Sequence, residues 1–174
     1  MGQATLARPK LLPQTRNGPR PKTQRVIPHL QVDQLPPAEI MDELIARCLQ
    51  LPLVLAKQSR MASPRSIALS LPDECASGPA DAFIDGHEFC HLHPLPEGGI
   101  HLTLPHGFGE EVVRTGWAEP HPVASLGALP SLYTLYAPRD HHELLIAVCV
   151  ISQSCNFAQG LPVDSFSSRL SESR

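Results

Sequence analysis

Phe89-Cys90-His91-Leu92-His93 and, six residues later, Ile100-His101-Leu102-Thr103-Leu104 are the stretches from which the architecture can be read. Successive side chains of a β-strand point to opposite faces. Cys90, Leu92, Ile100, Leu102 and Leu104 therefore share an apolar face, while His91, His93 and His101 take the other. Pro94-Leu95-Pro96-Glu97-Gly98-Gly99 between them is rich in turn formers, so the two strands read as a hairpin. With His93 beside His101, His91 falls beside Thr103, neighbouring side chains being about 5 Å apart. His121 on the loop beyond is a fourth imidazole able to join them.

Working outward, Pro36-Pro37 opens a helix in which Ile40, Met41, Leu44, Ile45 and Cys48 recur at helical spacing until Pro52. Ser66–Leu71, Ala82–His93, Ile100–Leu104 and Ser131–Tyr136 read as strands, and Phe108–Thr115 as a short helix closed by Gly116. Asp140-His141-His142-Glu143 has capping-box spacing and starts a long helix to about Ala158, with Leu144, Leu145, Val148, Ile151 and Cys155 as its core stripe. Hairpin-joined strands with interspersed helices describe a single α+β domain: an antiparallel sheet with helices packed on one face. The domain is expected over residues 34–160. It is flanked by a disordered, proline-rich basic arm (1–33) and a disordered tail (161–174).

Charge is divided unevenly over the 174 residues. Arg8, Lys10, Arg16, Arg20, Lys22 and Arg25 precede the first acid, Asp33, leaving 8 basic against 17 acidic side chains in the remainder, a formal net charge of −9. An acidic body argues against nucleic acid as a partner. Five cysteines without a CxxC pair suit reduced thiols in the cytoplasm. The longest apolar run, Leu144–Ile151, is too short to span a bilayer, and no secretory leader is visible, so no membrane partner is expected.

Three uses suit the histidine face. Neutral imidazoles are ligands for zinc, iron, copper or nickel, so His91, His93, His101 and His121 could hold a divalent metal. The same rings could do metal-free acid/base work, or they could be polar residues on a solvated sheet. His87-Glu88-Phe89-Cys90-His91 matches the H-E-x-x-H string of zinc proteases, but that chemistry needs a helix and the surrounding alternation says strand. Trp117 could wall a pocket for a flat organic ligand. Arg139, following Tyr136 and preceding a helix N-terminus, could hold an anion or pair with Glu143 or Asp140.

His91-Leu92-His93 followed after seven residues by His101-Leu102-Thr103-Leu104 resembles the core of the fungal luciferases and their luciferase-domain relatives in bacteria. So do Gly116-Trp117 followed by His121-Pro122-Val123, and Leu135-Tyr136-Ala137-Pro138-Arg139 running into an acidic-start helix. The likeness runs from about Glu88 to Gly160. It implies an oxygenase of the kind that adds dioxygen to a hydroxylated α-pyrone without a recognised flavin or haem, carbon dioxide leaving with light. It further implies His91, His93, His101 and His121 as catalytic positions and Trp117, Tyr136 and Arg139 as substrate-binding ones. In that account a histidine removes the enol proton, Arg139 steadies the anion and Trp117 flanks the ring. Where those luciferases carry an N-terminal membrane segment this chain has its basic arm, and the expectation is a soluble enzyme of specialised metabolism acting on a small enolic or aromatic molecule. The alternative is a non-catalytic protein that binds a ligand or partner at the same face. Oligomeric state stays open.

Overall fold

Ile40, Met41, Leu44 and Cys48 form the buried stripe of helix α1 (Ala38–Leu49), which starts after Pro37, where a missing amide hydrogen costs nothing. The computed structural model describes residues 15–163. Strands β1 (Leu55–Gln58), β2 (Ile67–Ser70), β3 (Glu88–Leu92) and β4 (Ile100–Thr103) come next. Helix α2 (His106–Arg114), strand β5 (Ala118–Pro120), the short helix α3 (Pro122–Ser125), strand β6 (Leu132–Leu135) and helix α4 (His141–Ala158) complete the order. The six strands form one antiparallel sheet in the order β1-β2-β3-β4-β6-β5. Helix α4 packs on β3 and β4, and α1 packs on α4. This is the α+β arrangement expected from the alternating pattern.

Cys90, Leu92, Ile100, Leu102 and Leu104 are fully buried and join Leu44, Leu144, Val150 and Ile151 in one apolar cluster. Asp140 caps α4 by accepting the Glu143 amide at 2.9 Å. The buried stripe of α4 is Leu144, Ala147, Val150, Ile151, Cys155 and Ala158. Leu145, expected in that stripe, is 47% exposed. No helix among the described residues is long and apolar enough to cross a membrane.

The hairpin register differs from expectation by two residues. His91 lies opposite His101 and Leu92 opposite Ile100, while the His93 amide bonds to the Gly99 carbonyl at 3.1 Å. Gly98 and Gly99, at φ 60° and 98°, bring the chain back so that pairing resumes at Gly99. A two-residue shift leaves every side chain on its original face. Strand β3 is also shorter than the expected Ala82–His93, because Gly86 at φ 56° and a Glu88 amide to Asp85 carbonyl bond of 2.9 Å make a tight turn ahead of it. Strands β1 and β5 were not expected. All four residues of β1 are exposed, and β5 has three residues ending in Pro120, so neither carries a two-residue burial pattern.

The larger departure is the basic arm. Residues 1–14 and 164–174 lie outside the described residues, as does most of the expected tail. From residue 15 to 33, however, the arm is laid against the sheet, with Arg16, His29 and Gln31 buried and an antiparallel bridge between Thr23 and Gln31. Polar contacts rather than apolar burial hold it. Thr23 Oγ1 donates to Glu119 at 2.5 Å, His29 Nε2 lies 2.7 Å from Glu119, and Gln31 Oε1 accepts the Ala137 amide at 2.9 Å. Composition counts apolar residues and so underrates a segment tied down by hydrogen bonds to a half-buried carboxylate and to backbone.

Replacing Glu119 by Ala should release the arm with the sheet still formed. Tryptic cleavage after the exposed Lys22 and Arg25 should accelerate by about tenfold or more, matching a loss of at least about 1.4 kcal/mol from local closure. Unchanged cleavage with an unchanged circular dichroism spectrum would show that Glu119 does not hold the arm.

Candidate active site

Strand pairing sets a row of polar side chains across the sheet on the face away from α1 and α4. Reading through the register, His91 on β3 opposes His101 on β4, His101 opposes Thr134 on β6, and Thr134 opposes Glu119 on β5. His91, His101 and Thr134 are 3%, 3% and 0% exposed, so this face is a buried interior and not a solvated one. His93, just past the end of β3, is 0% exposed. The ring centroids of His91, His93 and His101 stand 4.8–5.1 Å apart, all edge to face. His121, which caps α3, lies edge-on to His101 at 4.6 Å. The four expected histidines therefore converge.

Each ring is oriented by a partner on its outer side. His91 Nδ1 lies 2.6 Å from the buried Glu88 carboxylate, which also accepts the Ser59 hydroxyl at 3.0 Å. His93 Nδ1 lies 3.0 Å from Ser66 Oγ and 3.2 Å from Glu97 Oε2. Glu97 is in turn held by the Ser63 hydroxyl at 2.5 Å. His101 Nε2 lies 3.4 Å from the His29 carbonyl oxygen. The inner nitrogens then face one another, with His91 Nε2 3.0 Å and His93 Nε2 3.4 Å from His101 Nδ1. The ligand atoms of these three residues all lie within 4.8 Å of one another, so the triad could hold a metal ion. His121 is arranged differently: its Nδ1 accepts the Val123 amide at 3.2 Å, and a second hydrogen bond ties it to the Pro28 backbone.

Sequence reasoning missed His29, which stacks edge-on to His121 at 5.2 Å and whose backbone sits at φ 59°. That conformation is uncommon outside glycine and is held here by His29 Nδ1 on the Gln24 carbonyl and Nε2 on Glu119. A single histidine in a proline-rich arm has no periodicity to mark it. Glu88 and Glu97 were missed as ring partners too, although Glu97 sits four residues after His93 in the turn.

Burial shapes the electrostatics. Desolvation, followed by the neighbouring His91, lowers the His93 pKa to about 4. Desolvation and then His29 lower His121 to about 4 as well. The same burial, together with its histidine neighbours, takes His101 well below the ordinary value. These three rings are neutral at pH 7. Burial works against charge on Glu119, but hydrogen bonds from His29, Thr23 and Tyr136 outweigh it and keep the carboxylate ionised.

Tyr136 is buried, donates to Glu119 at 2.9 Å, and has the Arg16 guanidinium 5.7 Å from its ring centroid. Burial, then Glu119, pushes its pKa up. Arg139 takes the pairing alternative: its guanidinium binds Glu143, which also accepts the Arg139 amide at 2.9 Å. Arg16 Nη2 reaches the same carboxylate at 3.5 Å. Trp117 is buried within the apolar cluster. His87 stands on the turn before β3 and pairs with Asp73 at 3.1 Å, so the H-E-x-x-H string spans a turn and a strand. An open cleft of about 590 Å³ lined by His106, Glu110, Val113, Arg114 and Tyr133 includes none of the clustered histidines.

Comparison with known proteins bears on this geometry. A family model described as a luciferase domain matches residues 86–154. A luciferase from Armillaria gallica is 31% identical, the match taking in 84% of this chain and 61% of that protein. A luciferase from Armillaria mellea gives the same identity and coverage. This chain belongs to the luciferase-domain family. A luciferase from Neonothopanus nambi is 32% identical over 43% of this chain and 29% of its own length. The luciferase-domain chain thus spans about 61% of the length of the first Armillaria relatives it matches. No solved structure matches it. The family match covers His91, His93, His101 and His121 and begins after the arm that supplies His29.

Rings that are neutral when folded but protonated at the ordinary value when unfolded give stability that is present above about pH 6.5 and lost towards pH 4. In chelator-treated protein the thermal midpoint should fall across that window. A midpoint flat between pH 6.5 and pH 4 would contradict the buried, neutral cluster.

Proposed function

We propose that this chain is an oxygenase-like enzyme that acts on a small enolic or aromatic metabolite at the histidine-lined sheet face. The observation that carries the reading is the Glu88–His91 pair, set in a buried row of polar groups. A carboxylate 2.6 Å from Nδ1 fixes the tautomer that leaves Nε2 as a lone pair, and it stabilises the imidazolium formed on proton uptake. An enol O–H can lose its proton to that nitrogen. The enolate carbon then forms a C–O bond to dioxygen, which supplies the oxidising equivalents and is reduced to the peroxide level. Similarity to proteins named luciferases supports dioxygen as co-substrate, since carbanion-like enolates are the substrates that meet oxygen without a flavin or haem.

Residues 15–33 close over the face, so substrate enters when the arm lifts and leaves water behind when it closes. Arg139, engaged by Glu143, serves in this reading to position the arm, through Gln34 at 3.3 Å and the Asn17 carbonyl at 2.7 Å. Tyr136 supports the face through its hydroxyl on Glu119. The setting is cytoplasmic, within specialised metabolism, with neither nucleic acid nor membrane as a partner.

A second reading, a His-ligated metalloenzyme, is favoured by the 3.0 and 3.4 Å separations of the inner ring nitrogens. In that version a divalent ion, rather than His91, stabilises the enolate. Non-catalytic ligand binding is the remaining alternative, and turnover decides it.

Oxygen consumption by the full chain with a panel of hydroxypyrones and related enols tests the proposal. Wild-type protein should consume oxygen in proportion to enol added, and His91→Ala and Glu88→Gln should lower the rate by about 100-fold or more, the usual scale of a lost proton acceptor. Full turnover in His91→Ala, or no uptake with any enol, would remove the enzymatic reading.

A further inference from the structure

We propose that His91, His93 and His101 form a three-imidazole centre for a divalent first-row transition ion, with His121 outside the ligand set. The inference rests on the histidine face being the active site and deepens the second reading of it, in which His91 Nε2 ligates the ion in place of accepting the enol proton.

The argument is one of proton positions. Glu88 at 2.6 Å from His91 Nδ1 and Glu97 at 3.2 Å from His93 Nδ1 are acceptors, so those nitrogens carry hydrogen. His101 Nε2 faces the His29 carbonyl oxygen at 3.4 Å, again an acceptor. Each neutral ring has one N–H, and with all three directed outward, three lone pairs meet inside. Nitrogen lone pairs 3.0 and 3.4 Å apart in a buried site repel unless a cation stands between them. A single proton on His101 Nδ1 is a poor substitute. It would have to serve two acceptors at once, and it would turn the Nε2 lone pair onto the His29 carbonyl.

The spacing suits an ion. Metal–nitrogen bonds of about 2.0–2.1 Å separate two ligand nitrogens by about 3.0 Å at a right angle and about 3.4 Å at the tetrahedral angle. The two separations to His101 fall at those values, and with all three ligand atoms within 4.8 Å of one another the set closes on an ion with small side-chain shifts. A carboxylate behind a ligating imidazole is the common second partner at metal sites, and two of the three rings have one. Neutral imidazoles suit zinc, iron, cobalt, nickel or copper. His121 has both nitrogens engaged, Nδ1 by the Val123 amide and the other side by the Pro28 backbone, so it has no lone pair to give. Three protein ligands leave an open coordination position. Next to it in the strand register stands Thr134 Oγ1, fully buried and without a hydrogen-bond partner among the described residues. When bound, the ion would supply Lewis-acid stabilisation of an enolate oxygen or a bound hydroxyl. Thr134 Oγ1 is placed to hydrogen-bond such a group.

Full-length protein stripped with chelator and titrated with Co(II) tests this. Wild type should take one Co(II) per chain, with visible bands of a low-coordinate ion, and X-ray absorption at the cobalt edge should count three imidazoles. His91→Ala, His93→Ala and His101→Ala should each weaken binding by about 100-fold or more, and Glu88→Gln by about 10–100-fold with the bands retained. His121→Ala should stay within about threefold of wild type. If a histidine variant fails to fold by circular dichroism, the wild-type imidazole count still decides. No stoichiometric Co(II) in wild type would overturn the proposal. So would an imidazole count other than three, or a His121→Ala variant that loses the ion while His93→Ala keeps it. Oxygen uptake by cobalt-free, chelator-treated protein would remove the metal from the reaction and leave the enzymatic reading standing. Tight Co(II) binding with no oxygen uptake would do the reverse.

Discussion

Imidazoles buried on a sheet face have to find a partner for every ring nitrogen, or the fold loses about 1–3 kcal/mol for each group left unmade. That constraint organises the polar half of this molecule. Glu88, Glu97 and the His29 carbonyl each take the outer nitrogen of one ring. By doing so they decide which way the inner nitrogens face. The apolar half does the opposite job, supplying Leu92, Ile100 and Leu102 to a core under α4 that keeps strands β3 and β4 in fixed register. The direction of three lone pairs thus follows from packing on the far side of the sheet.

The arm ties the groups of the polar face to one another. His29 contributes its carbonyl to His101, its ring edge to His121 and its Nε2 to Glu119, so one residue touches three members of the face. Glu119 adds the Thr23 and Tyr136 hydroxyls, and Glu143 adds Arg16 and Arg139. Two carboxylates therefore pin the arm, each joined to the sheet or to α4. Lifting the arm would expose His101 and His121 to water and raise their affinity for protons, since burial is the main cause of their neutrality. Under the proposed function, an arm that opened for substrate and shut for reaction would control solvent access and proton affinity together.

The alternation of His91, Leu92 and His93 against Ile100, His101 and Leu102 was enough to read the hairpin, the apolar and polar faces and the convergence of histidines, because a strand has only two faces. The register was not legible, since it is set by where Gly98 and Gly99 turn the chain, and a two-residue slip changes no side chain's face. Strands β1 and β5 had no signal to read: one is exposed along its whole length and the other is three residues long. His29 was hidden for a different reason. Its burial comes from hydrogen bonds to Glu119 and Gln24, far and near in sequence, and composition alone describes that segment as polar and proline-rich. Arg139 could be read as a cation near a helix start, but only the structure chose Glu143 as its partner.

Ring protonation observed directly is the sharpest check on all of this. Two-bond proton–nitrogen NMR spectra of the full chain loaded with Zn(II) at pH 7, with the histidines assigned, report which nitrogen of each imidazole carries hydrogen. Hydrogen on Nδ1 of His91 and of His93 and on Nε2 of His101 is the pattern that the outer partners dictate. Hydrogen on His101 Nδ1, or a doubly protonated ring at any of the three, would mean that the inward lone pairs do not exist and that the centre described here is a hydrogen-bonded cluster with nothing to bind.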